Sequence, residues 1–269
     1  MLTITDNDFL RLVSYVQKNY GIDLSKKRQL ITSRLSNTIT AAGFGSFSAY
    51  IDHVIKTSDK NAIEMMLNKL TTNYTYFLRE SGHFDFLKNT ILPALVQQKK
   101  NKVLSIWSAG CSSGEEPYTI SMVLKDYFGS QASIWDTRVL ATDISQRVLS
   151  HAQNATYDPA ALENVPPKWK TEYFRKAPDG QYTVAPQIKS NVIFRTFNLM
   201  KPIEFKIKFD VIFCRNVMIY FDQPTKDALV QRFYQATNPG GYLLIGHSES
   251  LNKDKLAYKY IMPATYQKI

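Results

Sequence analysis

The sequence has little cysteine and no long apolar run. Only two cysteines, Cys111 and Cys214, occur among 269 residues, too few for a disulfide framework and without the paired spacing of a zinc site. We therefore expect two reduced thiols and no bound metal. The apolar runs are far shorter than a membrane span, and the amino terminus, with Asp6 and Asp8, lacks the basic-then-apolar order of a signal peptide. These absences predict a cytoplasmic protein without direct membrane insertion.

Acidic residues are fewer than basic ones, 23 against 33, which gives a formal net charge of +10 and a pI near 9.4. This excess favours an acidic partner, but charge alone does not choose among nucleic acid, an anionic membrane and an acidic protein surface. No acidic residue lies between Asp23 and Asp52. That stretch predicts a basic helix face formed by Lys26, Lys27, Arg28 and Arg34. Two interpretations stay open for this face, a solvated surface and a docking surface.

The capping and apolar patterns of residues 1–75 predict a small helical domain. Thr5 with Asp8 resembles a capping box, and apolar residues then recur at helical spacing up to Gly21. A second helix is predicted from near Ser25 to Gly43, and two shorter helices are predicted around 47–57 and 61–70. The length of the chain allows a larger domain, over 76–269, to follow this one.

The larger domain alternates short β-rich runs with helices. After a predicted helix over 84–98, buried strands are predicted at 103–108, 138–142, 192–196, 209–214 and 242–245. This order predicts a doubly wound α/β domain. At about 157–191 the pattern breaks, because 172–176 and 181–185 flank the turn sequence Pro178-Asp179-Gly180. We expect an inserted antiparallel hairpin, serving either recognition or structure alone.

A glycine-bearing loop joins the first predicted strand to a helix that is expected to begin near Pro117. Gly110 and Gly114 lie in this loop and would let a ligand approach the backbone closely. Because Glu115 and Glu116 follow, the loop would repel a pyrophosphate and suit a cationic ligand such as S-adenosylmethionine. The alternative is a tight turn in which these acids stabilise the helix N-terminus, and one of the two could do only that.

Polar residues also follow the next three predicted strands. Asp143 ends the second strand, where a carboxylate can accept hydrogen bonds from both ribose hydroxyls. Asn198 and Leu199 follow the third strand and would contact an adenine, and Arg215 and Asn216 follow the fourth. Each of these polar residues could instead be an ordinary loop cap. Together with Gly110 and Glu116, they predict a cofactor site at one edge of the sheet.

Four segments carry a family resemblance. They are Leu70 to Glu80 (LTTNYTYFLRE), Gly114 to Ile120 (GEEPYTI), Cys214 to Asp222 (CRNVMIYFD) and Gly246 to Ser250 (GHSES). In this order along the chain, they resemble the CheR family of chemotaxis-receptor methyltransferases. The sequence departs from other members at Tyr74, Tyr76 and Cys111, and none of these departures removes a proposed contact.

The resemblance implies a class I S-adenosylmethionine-dependent methyltransferase fold, Rossmann-like, with an N-terminal all-helical domain and a small antiparallel β insertion. It implies methyl transfer to glutamate side chains on the cytoplasmic helical bundle of methyl-accepting chemotaxis receptors, forming glutamate 5-O-methyl esters and S-adenosylhomocysteine. Arg79 and Tyr220 would face the reacting carboxylate, and the helical domain and the insertion would dock receptor. The cofactor site would include Asn73, Thr75, Arg79, Glu116, Asp143, Asn198, Leu199, Arg215 and Asn216.

Two other functions remain in view. A nucleic-acid methyltransferase is compatible with the basic pI, but enzymes that methylate exocyclic amines carry an Asn/Asp-Pro-Pro-aromatic segment after the fourth strand, where this chain has Arg215-Asn216-Val217-Met218. A non-catalytic cofactor-binding module would not need Arg79 and Tyr220. We therefore expect an enzyme that does not act on nucleic acid. We also expect it to be a monomer.

Overall fold

The computed structural model describes residues 2–252 and 257–269. Its internal contacts divide the chain into two compact units. The helical unit runs up to Asn73 and also contains Tyr220–Thr225, and the α/β unit contains Tyr74–Ile219 and the described residues from Lys226 onward.

The helical unit is built from α1 (Asp6–Tyr20), α2 (Arg28–Ala41), α3 (Phe47–Thr57) and α4 (Lys60–Leu70). The predicted cap of α1 is confirmed, because the Thr5 hydroxyl accepts the Asp8 backbone N–H at 3.1 Å and donates to the Asp8 carboxylate at 2.8 Å. Gly21 ends this helix in the left-handed conformation, at φ 74°. The predicted start of α2 near Ser25 is wrong. That helix begins at Arg28, so Lys26 and Lys27 precede it.

A segment distant in sequence completes the helical unit. Phe221 forms an isolated antiparallel bridge with Ile22, and the Asp23 backbone N–H donates to the Tyr220 carbonyl at 2.8 Å. The Gln17 side chain donates to the Asp222 carboxylate at 2.8 Å. These contacts explain why Tyr220–Thr225 groups with helices that precede it by about two hundred residues.

The α/β unit is centred on a seven-stranded sheet. Its strands are β1 (Ile106–Ala109), β2 (Val139–Asp143), β6 (Val192–Thr196), β7 (Phe209–Cys214), β8 (Thr237–Ile245), β9 (Lys259–Met262) and β10 (Thr265–Gln267). Their order across the sheet is β6-β2-β1-β7-β8-β10-β9. The first five strands of the sheet order pair in parallel. Chain order reverses on either side of β1, which puts a topological switch point at the carboxyl ends of β1 and β7. The predicted doubly wound domain is confirmed.

The other helices of the described residues follow α4 in the sequence. They are α5 (Gly82–Phe86), a π-helical turn (Leu87–Ile91), α6 (Leu92–Gln98), α7 (Glu115–Phe128), α8 (Gln146–Asn154), α9 (Pro167–Tyr173), α10 (Pro186–Lys189) and α11 (Gln223–Ala236), with short 3₁₀ turns at Gly129–Ile134, Pro159–Leu162 and Met218–Tyr220. Helix α7 begins two residues before its predicted start at Pro117, with Gly114 as its cap. No helix in 2–252 or 257–269 is long and apolar enough to cross a bilayer.

The predicted hairpin is confirmed in shorter form. Strands β4 (Phe174–Lys176) and β5 (Tyr182–Val184) pair antiparallel, and β3 (Thr156–Tyr157) adds a third strand beside β5. Glu172 lies in helix α9 and not in the hairpin. The antiparallel strands β9 and β10, which extend the sheet beyond β8, were not predicted, because their short segments carry little β periodicity.

Trp107 of β1 is one of the largest fully buried side chains. Its ring is fully buried and packs against Phe209, Phe233 and Phe205 at centroid distances of 5.2 to 5.4 Å. Its indole N–H donates to the Thr142 hydroxyl at 2.9 Å. Because this bond joins β1 to β2 below their carboxyl ends, it fixes the strands from which the functional loops emerge.

Candidate functional site

The loop after β1 has a conformation that only glycine adopts without strain at two positions. Gly110 has φ 84° and Gly114 has φ 99°. A Cβ added at Gly110 would overlap the side chain of Val217, and one at Gly114 would lie 2.8 Å from the Ala152 Cβ. The backbone N–H of Gly110 donates to the Thr142 carbonyl at 2.8 Å. The loop is therefore held against the end of β2, with no side chain at its tightest points.

The two acids after this loop have different partners. The Glu115 carboxylate is buried and accepts hydrogen bonds from the Ser113 hydroxyl at 2.7 and 3.0 Å. Glu116 accepts from the Ser108 hydroxyl at 2.7 Å and pairs with Arg215 at 3.1 Å. Burial raises the pKa of both carboxyls. Glu116 is thus the acid tied to the strand ends, and Glu115 serves the start of α7.

Arg215 is the centre of a buried charge network. Its side chain is 2% exposed and lies 3.1 Å from the carboxylates of both Glu80 and Glu116. It also donates to the Arg79 carbonyl and lies over the Phe84 ring, 5.3 Å from the centroid. Burial alone would raise the pKa of Glu80, but the ion pair with Arg215 outweighs it, so that pKa is lowered. One guanidinium thus joins the segment around residue 80, the start of α7 and the end of β7.

Asp143 lies at the end of β2, beside the glycine loop. Its carboxylate accepts the backbone N–H groups of Ser112 at 2.9 Å and Ser145 at 3.0 Å. Burial raises the pKa of Asp143, and these backbone hydrogen bonds oppose that rise. The carboxylate therefore braces the loop after β1 and the turn that precedes α8.

Asn198 and Leu199 follow β6. The Asn198 side-chain oxygen accepts the Met200 backbone N–H at 2.9 Å, which is the loop-cap arrangement that the sequence left open. Leu199 is buried, and its carbonyl accepts a hydrogen bond from Arg232 at 2.8 Å. The adenine contacts of both residues stay predictions.

Arg79 lies between two left-handed residues, Leu78 at φ 61° and Glu80 at φ 53°. Its guanidinium donates to the Tyr74 carbonyl at 2.7 Å and lies 6.0 Å from the ring centroids of both Tyr74 and Tyr76. Left-handed backbone is costly for non-glycine residues and is concentrated at functional sites. Thr75 is half-buried in the same segment.

Asn73 and Tyr220 belong to the helical unit. The Asn73 side chain accepts a hydrogen bond from the Thr71 hydroxyl at 3.4 Å. The Tyr220 hydroxyl donates to the Thr72 carbonyl at 2.9 Å, so its proton is held by the chain itself in this structure. Their proposed roles stay predictions.

The basic face predicted for α2 is only partly a free cationic surface. Arg28 pairs with Asp6, donates to the Ile4 carbonyl at 3.2 Å and stacks on Phe9. Arg34 donates to the Lys69 carbonyl at 3.1 Å. Lys26 and Lys27 are exposed in the turn before the helix. The two arginines thus contribute to the fold of the helical unit, and the two lysines carry the solvent-facing charge.

Glu80, His83 and His247 bring potential metal-ligand atoms within 4.8 Å of one another. Both ring nitrogens of the fully buried His83 lack a hydrogen-bond partner among the described residues. Burial, followed by the charge of Arg215, lowers the pKa of His83 to about 4, so this ring is neutral near pH 7. Because Glu80 is already paired with Arg215, the guanidinium charge opposes a cation here. We assign no metal to this cluster.

The α/β unit joins residues from all four sequence segments by hydrogen bonds. Arg215 links Glu80 to Glu116, and the His247 backbone N–H donates to Glu80 at 3.3 Å. Sequence reasoning missed Glu80 as a site residue, although it ends the first of those segments. It also missed Glu249, whose carboxylate accepts the Asn216 backbone N–H at 2.8 Å. Both lie inside the resembling segments, but Arg215 is 135 residues from Glu80 and Asn216 is 33 residues from Glu249.

Models of two family domains match the chain. Residues 7–71 match "CheR methyltransferase, all-alpha domain", and residues 73–267 match "CheR methyltransferase, SAM binding domain". The chain belongs to the CheR methyltransferase family. The resemblance inferred from the four segments is confirmed, and so is the class of fold.

Proteins similar to this CheR family member match it over nearly its whole length. It is 44% identical to the chemotaxis protein methyltransferase of Borreliella burgdorferi, over 99% of this chain and 96% of that protein. It is 38% identical to a probable chemotaxis protein methyltransferase of Rhizobium etli, over 94% of this chain and 96% of that one. For chemotaxis protein methyltransferase 2 of Vibrio cholerae the identity is 33%, over 94% and 88%.

The cofactor of this CheR domain is S-adenosylmethionine, as predicted. The residues present fit it. Glu116 in the first turn of α7 and Asp143 at the end of β2 are acids that suit a ligand with a sulfonium, an ammonium and ribose hydroxyls. The chain is therefore a methyltransferase that uses S-adenosylmethionine.

Proposed function

We propose that this chain transfers the methyl group of S-adenosylmethionine to glutamate side chains on the cytoplasmic helical bundle of chemotaxis receptors, forming glutamate 5-O-methyl esters. The observation that carries this proposal is the hydrogen-bonded convergence of all four family segments around Arg215 and Asn216. The names of the relatives, chemotaxis protein methyltransferases, support the pathway. We further propose that the protein acts in the cytoplasm as a monomer.

The chemistry of this acceptor needs no general base. A glutamate side chain has an ordinary pKa of about 4.3 and is already an anion near pH 7. When bound, S-adenosylmethionine supplies an electrophilic methyl group on a cationic sulfur. The protein's own task is then to hold two oppositely charged reactants in line and to exclude water. Such an acceptor is compatible with a proposed site whose described residues include no His-Asp pair that would act as a base.

Arg79 is the residue proposed to orient a carboxylate. Its planar guanidinium suits bidentate contact, and its backbone is fixed from two sides, by the left-handed residues next to it and by the bond from Arg215 to its carbonyl. Only one of its guanidinium nitrogens donates to Tyr74. Tyr220 is proposed to donate to the acceptor oxygen, which requires it to release the Thr72 carbonyl.

The test is transfer of tritium from labelled S-adenosylmethionine to receptor-containing membranes, followed by mild alkali. We expect base-labile label that is released as methanol, because carboxyl esters hydrolyse under these conditions. We expect Arg79→Ala to lose most of the transfer while keeping its unfolding midpoint, and Arg138→Ala, on the surface of the same unit, to keep both. Label on RNA or DNA, or alkali-stable label, would refute the proposed substrate.

Docking is proposed for the helical domain, residues 1–75, and for the inserted β-sheet. The exposed pair Lys26 and Lys27 offers the cleanest test, because Arg28 and Arg34 also hold the helical unit together. Reversing both lysine charges to Glu should raise the KM for receptor in a salt-dependent way and leave binding of S-adenosylhomocysteine unchanged. The matched control reverses the exposed Lys100 and Lys102. Equal receptor kinetics for the two variants would contradict the docking role.

A further inference from the structure

Glu249 is a buried acid whose carboxylate binds backbone N–H groups. It follows β8 and is 8% exposed. One carboxylate oxygen accepts from Asn216 at 2.8 Å and from Gly246 at 2.6 Å, and the other accepts from Ile219 at 3.1 Å. The Met218 backbone N–H also interacts with this carboxylate. One side chain thus satisfies most of the backbone donors of the loop that follows β7.

That loop needs an external support. Asn216 has φ 59°, a left-handed conformation that costs a non-glycine residue free energy. A Cβ added at Gly246 would lie 2.8 Å from the Asn216 backbone nitrogen, so the loop packs directly on a glycine backbone. The Asn216 side-chain amide donates to Glu80 at 3.4 Å. Asn216 is therefore held from two sides, by Glu249 through its backbone and by Glu80 through its side chain.

We propose that Glu249 is a positioning residue that holds Asn216, and with it the loop 215–219, in the conformation that the methyl donor requires. This proposal rests on the assignment of Asn216 to the cofactor site. A carboxylate suits the task because both of its oxygens only accept hydrogen bonds. In Glu249→Gln, whichever oxygen becomes the amide nitrogen, at least one backbone N–H faces a donor instead of an acceptor.

The experiment compares Glu249→Gln with the wild type and with Glu204→Gln, a matched change at an exposed glutamate of the same unit. Amide hydrogen exchange is followed by NMR, and binding of S-adenosylhomocysteine is followed by calorimetry. We expect Glu249→Gln to speed exchange at least tenfold at Asn216, Ile219 and Gly246, with the β1 amides unchanged. We also expect it to weaken ligand binding at least tenfold, and Glu204→Gln to change neither.

Several outcomes would overturn the proposal. Wild-type affinity in folded Glu249→Gln would do so, and so would acceleration spread evenly over the sheet, because it would indicate a general structural role. If Glu249→Gln does not fold, Glu249→Asp takes its place, since its carboxylate is one methylene too short to reach all its donors. At least threefold weaker binding is then expected, and wild-type affinity would overturn the idea.

Failure of the proposed site gives a different result. If the wild type itself does not bind S-adenosylhomocysteine, the cofactor site is wrong, and with it the donor-dependent part of this proposal. The exchange comparison needs no ligand and still decides whether Glu249 holds the loop.

Discussion

Removing the guanidinium of Arg215 should destabilise the α/β unit far more than removing an exposed one. Arg215→Met keeps an unbranched apolar stem but leaves two carboxylates, Glu80 and Glu116, without their shared partner at 3.1 Å. Because the Arg215 side chain is 2% exposed, water cannot replace it without opening the site. Breaking a buried ion pair costs about 3–5 kcal/mol, and we expect a loss of this size near pH 7.

The loss should depend on pH. In the variant, burial without a counter-ion raises the folded-state pKa of both carboxyls above the unfolded value of about 4.3. The folded variant then binds more protons than the unfolded chain above that pH, so its stability falls as the pH rises. The deficit relative to the wild type should therefore be larger at pH 7 than at pH 5, by at most about 1.4 kcal/mol per pH unit for each carboxyl.

The assay is urea unfolding followed by tryptophan fluorescence. The three tryptophans, Trp107, Trp135 and Trp169, all lie in the α/β unit, so the signal reports this unit alone. The matched control is Arg138→Met, whose pair with Asp136 is exposed and should contribute less than about 1 kcal/mol. A loss below about 1 kcal/mol for Arg215→Met, or a deficit that does not change between pH 5 and pH 7, would refute the reasoning.

Two further predictions concern the same unit. Gly110→Ala should weaken binding of S-adenosylhomocysteine more than tenfold in calorimetry, because φ 84° and the overlap with Val217 both oppose a methyl group. The control Gly82→Ala, at a glycine with open space around it, should bind this ligand as the wild type does. Equal affinities of the Gly110→Ala and Gly82→Ala variants would contradict the prediction. Acidification should destabilise the wild type through His83, whose folded pKa of about 4 lies below the ordinary 6.5, so the unfolded chain binds more protons in this range. Between pH 7 and pH 5 this group should cost about 2 kcal/mol, and a urea titration of His83→Leu that shows the same fall would count against it.

Local signals in the sequence determined much of the fold. The Thr5 cap and the stop at Gly21 bound α1, because both act within a few residues. The β-rich runs at 192–196 and 209–214 became strands with the predicted bounds, because β-branched and aromatic residues favour strands locally. The predicted burial is confirmed for β7 and wrong for most of β6, where only Val192 is buried. The four family segments were enough to identify the family.

The tertiary structure alone decided which distant groups meet. Glu80 and Arg215 are 135 residues apart, and no local pattern indicates their pairing. Likewise, the grouping of Tyr220–Thr225 with the helical unit depends on a bridge to Ile22, and the role of Glu249 depends on a loop 30 or more residues before it. Periodicity and turn chemistry act over a few residues, whereas burial and ion pairing depend on where the folded chain brings charges together.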